Sequence, residues 1–284
     1  MGLIQGLTEF LPVSSSGHLA IFKHIFSVDT GTGILFDVLL HVGTLISIFV
    51  AFHYDMYMLI SEGFGILGDW VKNLVIFFRN LNTDDKLPYK KVITSPYRKF
   101  VMLIIVATIP TGIMGIAGKD FVESAQESLL VPGICLIITS IILFVADRCK
   151  GGDKLSSDTT MLDGFIIGMV QGIATLPGIS RSGSTITACL VSGFERKFAV
   201  KFSFIMSIPA VMGAALLELG DLAENPVPKD EIHIYIIGMI VAAIVGYICI
   251  KTMLVVVRKK KFTIFSIYCL AAGVLSLVGY FSMK

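Results

Sequence analysis

The sequence predicts an all-α integral membrane protein built from two inverted-topology repeats, each a re-entrant helix pair followed by three transmembrane helices. Three observations carry that prediction. Of the 284 residues, 55% are hydrophobic and only 15% charged, against roughly 25% charged in a soluble domain. Mean hydropathy is +0.83, so a soluble monomer is excluded and the bilayer is the solvent. Six apolar segments reach the ~20 residues a helix needs to cross about 30 Å of hydrocarbon. Two further apolar stretches are split by polar breaks into halves too short to cross, and the two breaks resemble each other.

Taken in order, the first broken stretch is Met1 to Val28, interrupted at Pro12 to Gly17. It lacks the basic leader and small-residue cleavage site of a secretory signal, so it reads as mature chain. The first span is Ile34 to Tyr54. Tyr57 to Arg79 is apolar but carries Glu62, Asp69 and several glycines, and reads as an amphipathic helix on the cytoplasmic surface within a loop of residues 55–99. Phe100 to Gly118 and Leu129 to Ala146 complete repeat one, residues 1–146. Repeat two, residues 162–284, opens with Leu162 to Phe194, broken at Pro177 to Gly183. The spans Phe198 to Leu219, Ile232 to Val257 and Phe262 to Ser282 follow, and the whole chain forms one membrane domain. Each half of a broken stretch has at most about 15 residues, ~22 Å of helix, so each stretch enters the membrane, turns and leaves on the same side.

Gln5 to Gly17 aligns without gaps on Gln171 to Gly183, with five identities in thirteen positions; both segments begin Gln-Gly and end Ser-x-Ser-Gly. Loop charge sets the orientation. Sixteen Lys and Arg fall in the loop at 55–99, after Asp147, at Arg196-Lys197 and at Arg258 to Lys261. The loops Lys119 to Ser128 and Gly220 to Glu231 hold only Lys119 and Lys229, against seven acids. The first set is therefore expected in the cytoplasm and both termini outside. The two broken stretches then enter from opposite faces and their turns meet near the midplane, where irregular backbone is tolerated only if it is buried in protein or lines a cavity.

An ionisable residue inside a membrane costs roughly 2.5 kcal/mol or more, so those at the breaks are candidates for function. In the first repeat they are Glu9 and His18, with Gln5, Ser14, Ser15 and Ser16 beside them. Gln5 and Glu9, four apart on a helix, share a face and can present an amide and a carboxylate to one ligand. Ser14 to Gly17 would form a turn that opens a helix, where hydroxyls and free N–H groups favour an anion. In the second repeat, Gly178, Ser180, Arg181, Ser182 and Thr185 place one guanidinium among glycines and hydroxyls. Arg forks phosphate oxygens and glycine lets backbone approach, so these parts suit a phosphate cradle, with pairing of Arg181 to Glu9 or Asp163 as the structural alternative. A Walker A loop is absent. Asp37 and His41, four apart in the first span, are expected to support the site, while Lys201, Glu218 and Lys251 are expected to snorkel to the interface. His24, His53 and His233 lie at membrane edges and carry no expected role.

Glu9 alone would repel a phosphate, and a divalent cation, Mg²⁺ or Ca²⁺, shared by the Glu9 carboxylate and phosphate oxygens resolves that conflict. The five cysteines form no C-x-x-C pair and support neither a disulfide framework nor a zinc site. Net charge is only +2, so no nucleic-acid partner is implied. Two readings compete at this stage: an integral-membrane hydrolase of a lipid diphosphate, and a secondary transporter or flippase of a phosphorylated lipid, which the repeat architecture suits equally well.

Gln5 to His18 and Pro177 to Thr185 resemble the two signatures of the bacterial undecaprenyl-diphosphate phosphatase (bacitracin-resistance protein) family, and Phe36 to Leu45 and Lys201 to Pro209 extend the likeness. The resemblance implies a bacterial inner-membrane enzyme that acts on undecaprenyl diphosphate among membrane lipids, with a homodimer compatible with the family. It implies that Gln5 and Glu9 serve the metal and the diphosphate, that His18 is the essential histidine, that Ser15 attacks or orients, and that Arg181 binds phosphate. Gln5 departs from the family's more frequent carboxylate, which implies weaker metal affinity. The chain opens only four residues before the first motif, so the first re-entrant helix is expected to be short, and a truncated gene start would make the natural protein longer.

Overall fold

In the computed structural model, residues 1–26, 33–221, 232–259 and 261–282 are described, without the side chains of residues 25, 26, 33–35, 37 and 217–221. The expectations for Asp37, Glu218 and most of the acidic loop at 220–231 therefore lie outside the described residues. What is described is helical. Five helices are long and apolar enough to cross a bilayer: α5 (Pro96–Ala117), α7 (Leu130–Arg148), α10 (Arg196–Asp221), α11 (Ile232–Arg258) and α12 (Thr263–Ser282). The sixth expected span is α3 (Gly33–Ala51), which turns through 91° into α4 (His53–Leu81). A helix leaving at a right angle cannot prolong that span, which is the form expected of Tyr57 to Arg79 as a separate helix.

Both broken stretches are broken in the structure. The first gives α1 (Gly2–Phe10) and α2 (Ser15–Phe26), the second α8 (Met161–Ile173) and α9 (Arg181–Val191). A proline, Pro12 or Pro177, lies in the turn between the two helices of each pair, and a serine caps the second helix: Ser14 Oγ accepts from the Gly17 amide at 3.3 Å, and Ser180 Oγ from the Gly183 amide at 3.1 Å. These residues stand at matched positions, 166 apart. The loop Lys119 to Ser128, expected to be irregular, contains a short helix, α6 (Lys119–Gln126), whose Ala125 is buried.

Packing is reciprocal between the halves. The most extensive pairs are α7 with α12, α3 with α11, α5 with α8 and α1 with α11. The first helix of each broken pair, α1 or α8, thus lies on the second span of the other half of the chain, a pattern that fits two related repeats. Close approach requires glycine at the matched positions Gly2 and Gly168: a Cβ at either would strike backbone, at Gly238 on α11 and at Ala107 on α5. A buried apolar cluster that includes Phe10, Phe52, Phe100, Phe194, Phe198, Phe202 and Phe204 fills the interior on one side of the breaks.

Two charged clusters tie α4 into this frame. Arg98 forks Glu62 at 2.8 Å and Asp69 at 2.6 Å. Lys201 also has a partner that the sequence did not indicate: its Nζ donates to Asp55 Oδ1 at 2.8 Å, and the Tyr97 hydroxyl donates to the same oxygen at 2.9 Å. Asp55 is buried where α3 bends into α4, while the Lys201 side chain stays partly exposed. Lys251 is exposed, 5.4 Å over the Tyr247 ring.

Candidate active site

The two breaks meet. A Cβ on Gly17 would touch Gly178 at 2.8 Å, and Ser182 Oγ reaches the Leu11 carbonyl at 3.4 Å. The backbone at Ser14 is left-handed, with φ 70°, and Gly178 has φ 97°, conformations that turn the chain sharply enough to start α2 and to bring α9 beside it. Thr139 on α7 pins the second turn: its hydroxyl donates to the Gly178 carbonyl at 2.8 Å and accepts from the Ser180 amide at 3.0 Å.

At the junction Glu9 is buried and fully engaged. Its Oε1 pairs with Arg181 Nη2, across the repeats. Its Oε2 accepts from Ser15 Oγ at 2.6 Å and from Gln5 Nε2 at 3.0 Å. Gln5 Nε2 also lies 3.0 Å from His41 Nδ1, which is 3.8 Å from Glu9 Oε1. Three side chains that the sequence singled out, Gln5, Ser15 and Arg181 from three helices, therefore converge with His41 on the Glu9 carboxylate. The arrangement has a hydroxyl whose proton already points at a base, and a guanidinium whose fork suits a phosphate.

Beside this cluster is a cavity of about 300 Å³. Glu9, Ser14, Ser15, Ser16, His41, Ser180 and Arg181, together with Thr111, Gln171 and Thr175, give it a polar lining, and Val38, Ala174, Val211, Ala214 and Ala215 supply apolar surface. Thr111 and Gln171 were not singled out as ligand groups by sequence reasoning, although Gln171 is the aligned partner of Gln5 and that match was the available signal.

Not every expected site residue faces this space. His18 does not line it. The Ser14 carbonyl can only accept, so His18 Nδ1, 2.8 Å away, carries a proton, and Nε2 lies 2.8 Å from the Tyr268 hydroxyl on α12. Both ring nitrogens are thereby occupied, and the ring stacks on Tyr268 at 5.5 Å between centroids. Thr185 is fully buried, with its hydroxyl against Ser203 and the Arg181 carbonyl. Gly178 and Ser182 shape the turn without lining the cavity, and Gln5 lies behind Glu9. Asp163 closes a capping box with Thr160, which leaves Glu9 as the partner of Arg181.

Among the described residues no group of three or more His, Cys, Asp and Glu stands ready to hold a metal. The donor set nevertheless fits an oxygen-seeking cation that is shared with a ligand, because Gln5 Oε1 is buried without a partner next to the Glu9 carboxylate.

The chain is 39% identical over 283 residues to an undecaprenyl-diphosphatase of Alkaliphilus metalliredigens, covering all of this chain and 97% of that protein. It is 37% identical to one of Methanosphaera stadtmanae, over 98% of this chain and 95% of the relative, and 39% identical to one of Carboxydothermus hydrogenoformans, over 98% and 94%. A family model described as bacitracin resistance protein BacA matches residues 1–275. With two facing re-entrant turns that join Glu9, Ser15 and Arg181, and with that match along nearly its whole length, the chain belongs to the BacA family.

Proposed function

We propose that the protein hydrolyses undecaprenyl diphosphate to undecaprenyl phosphate and inorganic phosphate, recycling the carrier lipid for peptidoglycan synthesis and conferring bacitracin resistance. Family membership and the names of the relatives support the substrate. The observation that carries the chemistry is the buried Glu9 carboxylate shared by Ser15 and Arg181.

The terminal phosphate competes with Glu9 for the Arg181 fork. As it draws Arg181 away, Glu9 Oε1 is released while Ser15 stays on Oε2. Ser15 Oγ attacks the terminal phosphorus and its proton passes to Glu9; the bond from that phosphorus to the bridging oxygen breaks, and undecaprenyl phosphate leaves with the bridging oxygen and its electron pair. Water then attacks the phosphoserine. The bond from phosphorus to Oγ breaks, Glu9 returns its proton to Ser15, and the water oxygen with one proton ends on inorganic phosphate while the second proton goes to solvent. His41 and Gln5 hold Glu9 in place, and His18 secures the Ser14 turn that aims Ser15. The apolar side of the cavity accepts the start of the prenyl chain. Glu9 and Gln5 Oε1 are the residues that would hold Mg²⁺ or Ca²⁺; when bound, the ion neutralises diphosphate charge beside Glu9.

The Lys- and Arg-rich loops support a topology with α4 on the cytoplasmic face of a bacterial inner membrane and both termini outside. Phosphate release by the purified protein from undecaprenyl diphosphate, with and without chelator, tests the enzyme and the cation together. No release with Mg²⁺ or Ca²⁺ present overturns hydrolysis. Single cysteines at positions 86 and 229 label from opposite sides of the membrane under this topology; labelling from one side overturns it.

A further inference from the structure

Gln171, from α8, is 1% exposed and lines the same cavity as Arg181. Its amide nitrogen donates to Thr111 Oγ1 at 3.3 Å and to the Met206 carbonyl at 3.5 Å. Thr111 is itself held, its hydroxyl within 2.9 Å of the Ala107 carbonyl and 2.8 Å of the Gly168 carbonyl, so the amide cannot turn over without losing donors on both sides. Gln171 Oε1 is left buried with no partner. Buried acceptors are nearly always satisfied, by protein or by ordered water, so this oxygen points to a ligand.

The chemistry of the oxygen restricts what that ligand is. A carbonyl oxygen only accepts, and an ionised diphosphate also only accepts, so the two repel. The species in the proposed reaction that donates is water, and hydrolysis consumes one molecule of it. We infer that Gln171 Oε1 holds the water that attacks the phosphoserine, in the cavity it shares with Ser15 and Arg181. The inference rests on the hydrolytic reading above. In this step the water oxygen bonds to phosphorus as the bond to Ser15 Oγ breaks; Gln171 accepts one O–H bond and exchanges no proton. The two aligned glutamines thus have divided labour, Gln5 serving the carboxylate and Gln171 the water.

The test compares wild type, Gln171→Met and Thr111→Val, purified with intact thermal unfolding, on undecaprenyl diphosphate labelled in its terminal phosphate. Wild-type release of labelled phosphate establishes the hydrolytic reading independently; without it, that reading fails first. Gln171→Met is expected to lower kcat at least tenfold with KM falling alongside it, so that kcat/KM stays within about twofold, to leave the inhibition constant of inorganic phosphate within about twofold, and to accumulate acid-stable label on Ser15 after a burst of about one equivalent of undecaprenyl phosphate. Thr111→Val, which frees the amide to turn, is expected to show the same signature more weakly, and it carries the test if Gln171→Met does not fold. Unchanged kcat in both variants overturns the inference. So does a tenfold rise in KM or in the phosphate inhibition constant, which would assign Gln171 to phosphate, and so does a fall in kcat without labelled enzyme.

Discussion

Replacing Arg181 separates what the ion pair does for folding from what it does for phosphate. In Arg181→Ala the Glu9 carboxylate, whose side chain is only 3% exposed, loses its countercharge. Breaking a buried pair from one side costs about 3–5 kcal/mol. Ser15 and Gln5 still donate to Oε2, and Arg181 is 23% exposed, which places the cost near the lower end, about 3 kcal/mol. Removing the charge as well, in Arg181→Ala with Glu9→Gln, leaves a neutral amide and should restore most of that loss. Activity responds differently. The fork to phosphate contributes about 1.5–3 kcal/mol per charged hydrogen bond, so two such bonds imply a loss of at least about 10²-fold in kcat/KM, and the double variant stays inactive because Glu9 is gone too. Thermal unfolding in detergent and phosphate release from undecaprenyl diphosphate measure the two effects. The reasoning is refuted if Arg181→Ala turns over at the wild-type rate, or if the double variant is no more stable than Arg181→Ala.

His18→Ala is expected to lose at least about tenfold in kcat through the Ser14 turn, since a lost buried hydrogen bond costs about 1–3 kcal/mol. His18→Asn, whose amide can still donate to the Ser14 carbonyl, should recover most of it; a histidine that reacts with phosphate would not be rescued in this way. Tyr268→Phe should cost less than His18→Ala in the same rate assay. Lys201→Met leaves Asp55 with only the Tyr97 hydroxyl of its two partners, and should lower stability by about 1–3 kcal/mol with KM unchanged, read by thermal unfolding and initial rates. Gly168→Val forces α8 off α5 at Ala107, and should destabilise by about 1–3 kcal/mol, seen as early unfolding or loss of the folded protein from membranes. A chelator should suppress phosphate release, and Mg²⁺ or Ca²⁺ should restore it.

Much of the fold was written locally. Apolar runs of span length gave α5, α7, α10, α11 and α12 within a few residues, and Pro12 and Gly178 marked the two breaks, because hydropathy and backbone permission are properties of short segments. The helix over Lys119 to Gln126 was missed because its polar sequence is stabilised by contacts with α5 and α7 that no local pattern reveals. The partner of Lys201 is hidden for a related reason: Asp55 is 146 residues away in sequence.

For the candidate site, the sequence by itself determined the inventory. In a chain with so few charges, burial at a break made Gln5, Glu9, Ser15 and Arg181 stand out, since hydrocarbon penalises every polar group without a partner. Only the tertiary structure decided how that inventory is divided. It joined Glu9 to Arg181 across 172 residues and brought His41 to the cavity. It also turned His18 away to Tyr268, and left Gln171, which lines the same cavity, with an unmet acceptor. Which polar groups meet depends on how the two re-entrant pairs pack against the opposite repeats, and that geometry is fixed by long-range contacts rather than by spacing along the chain.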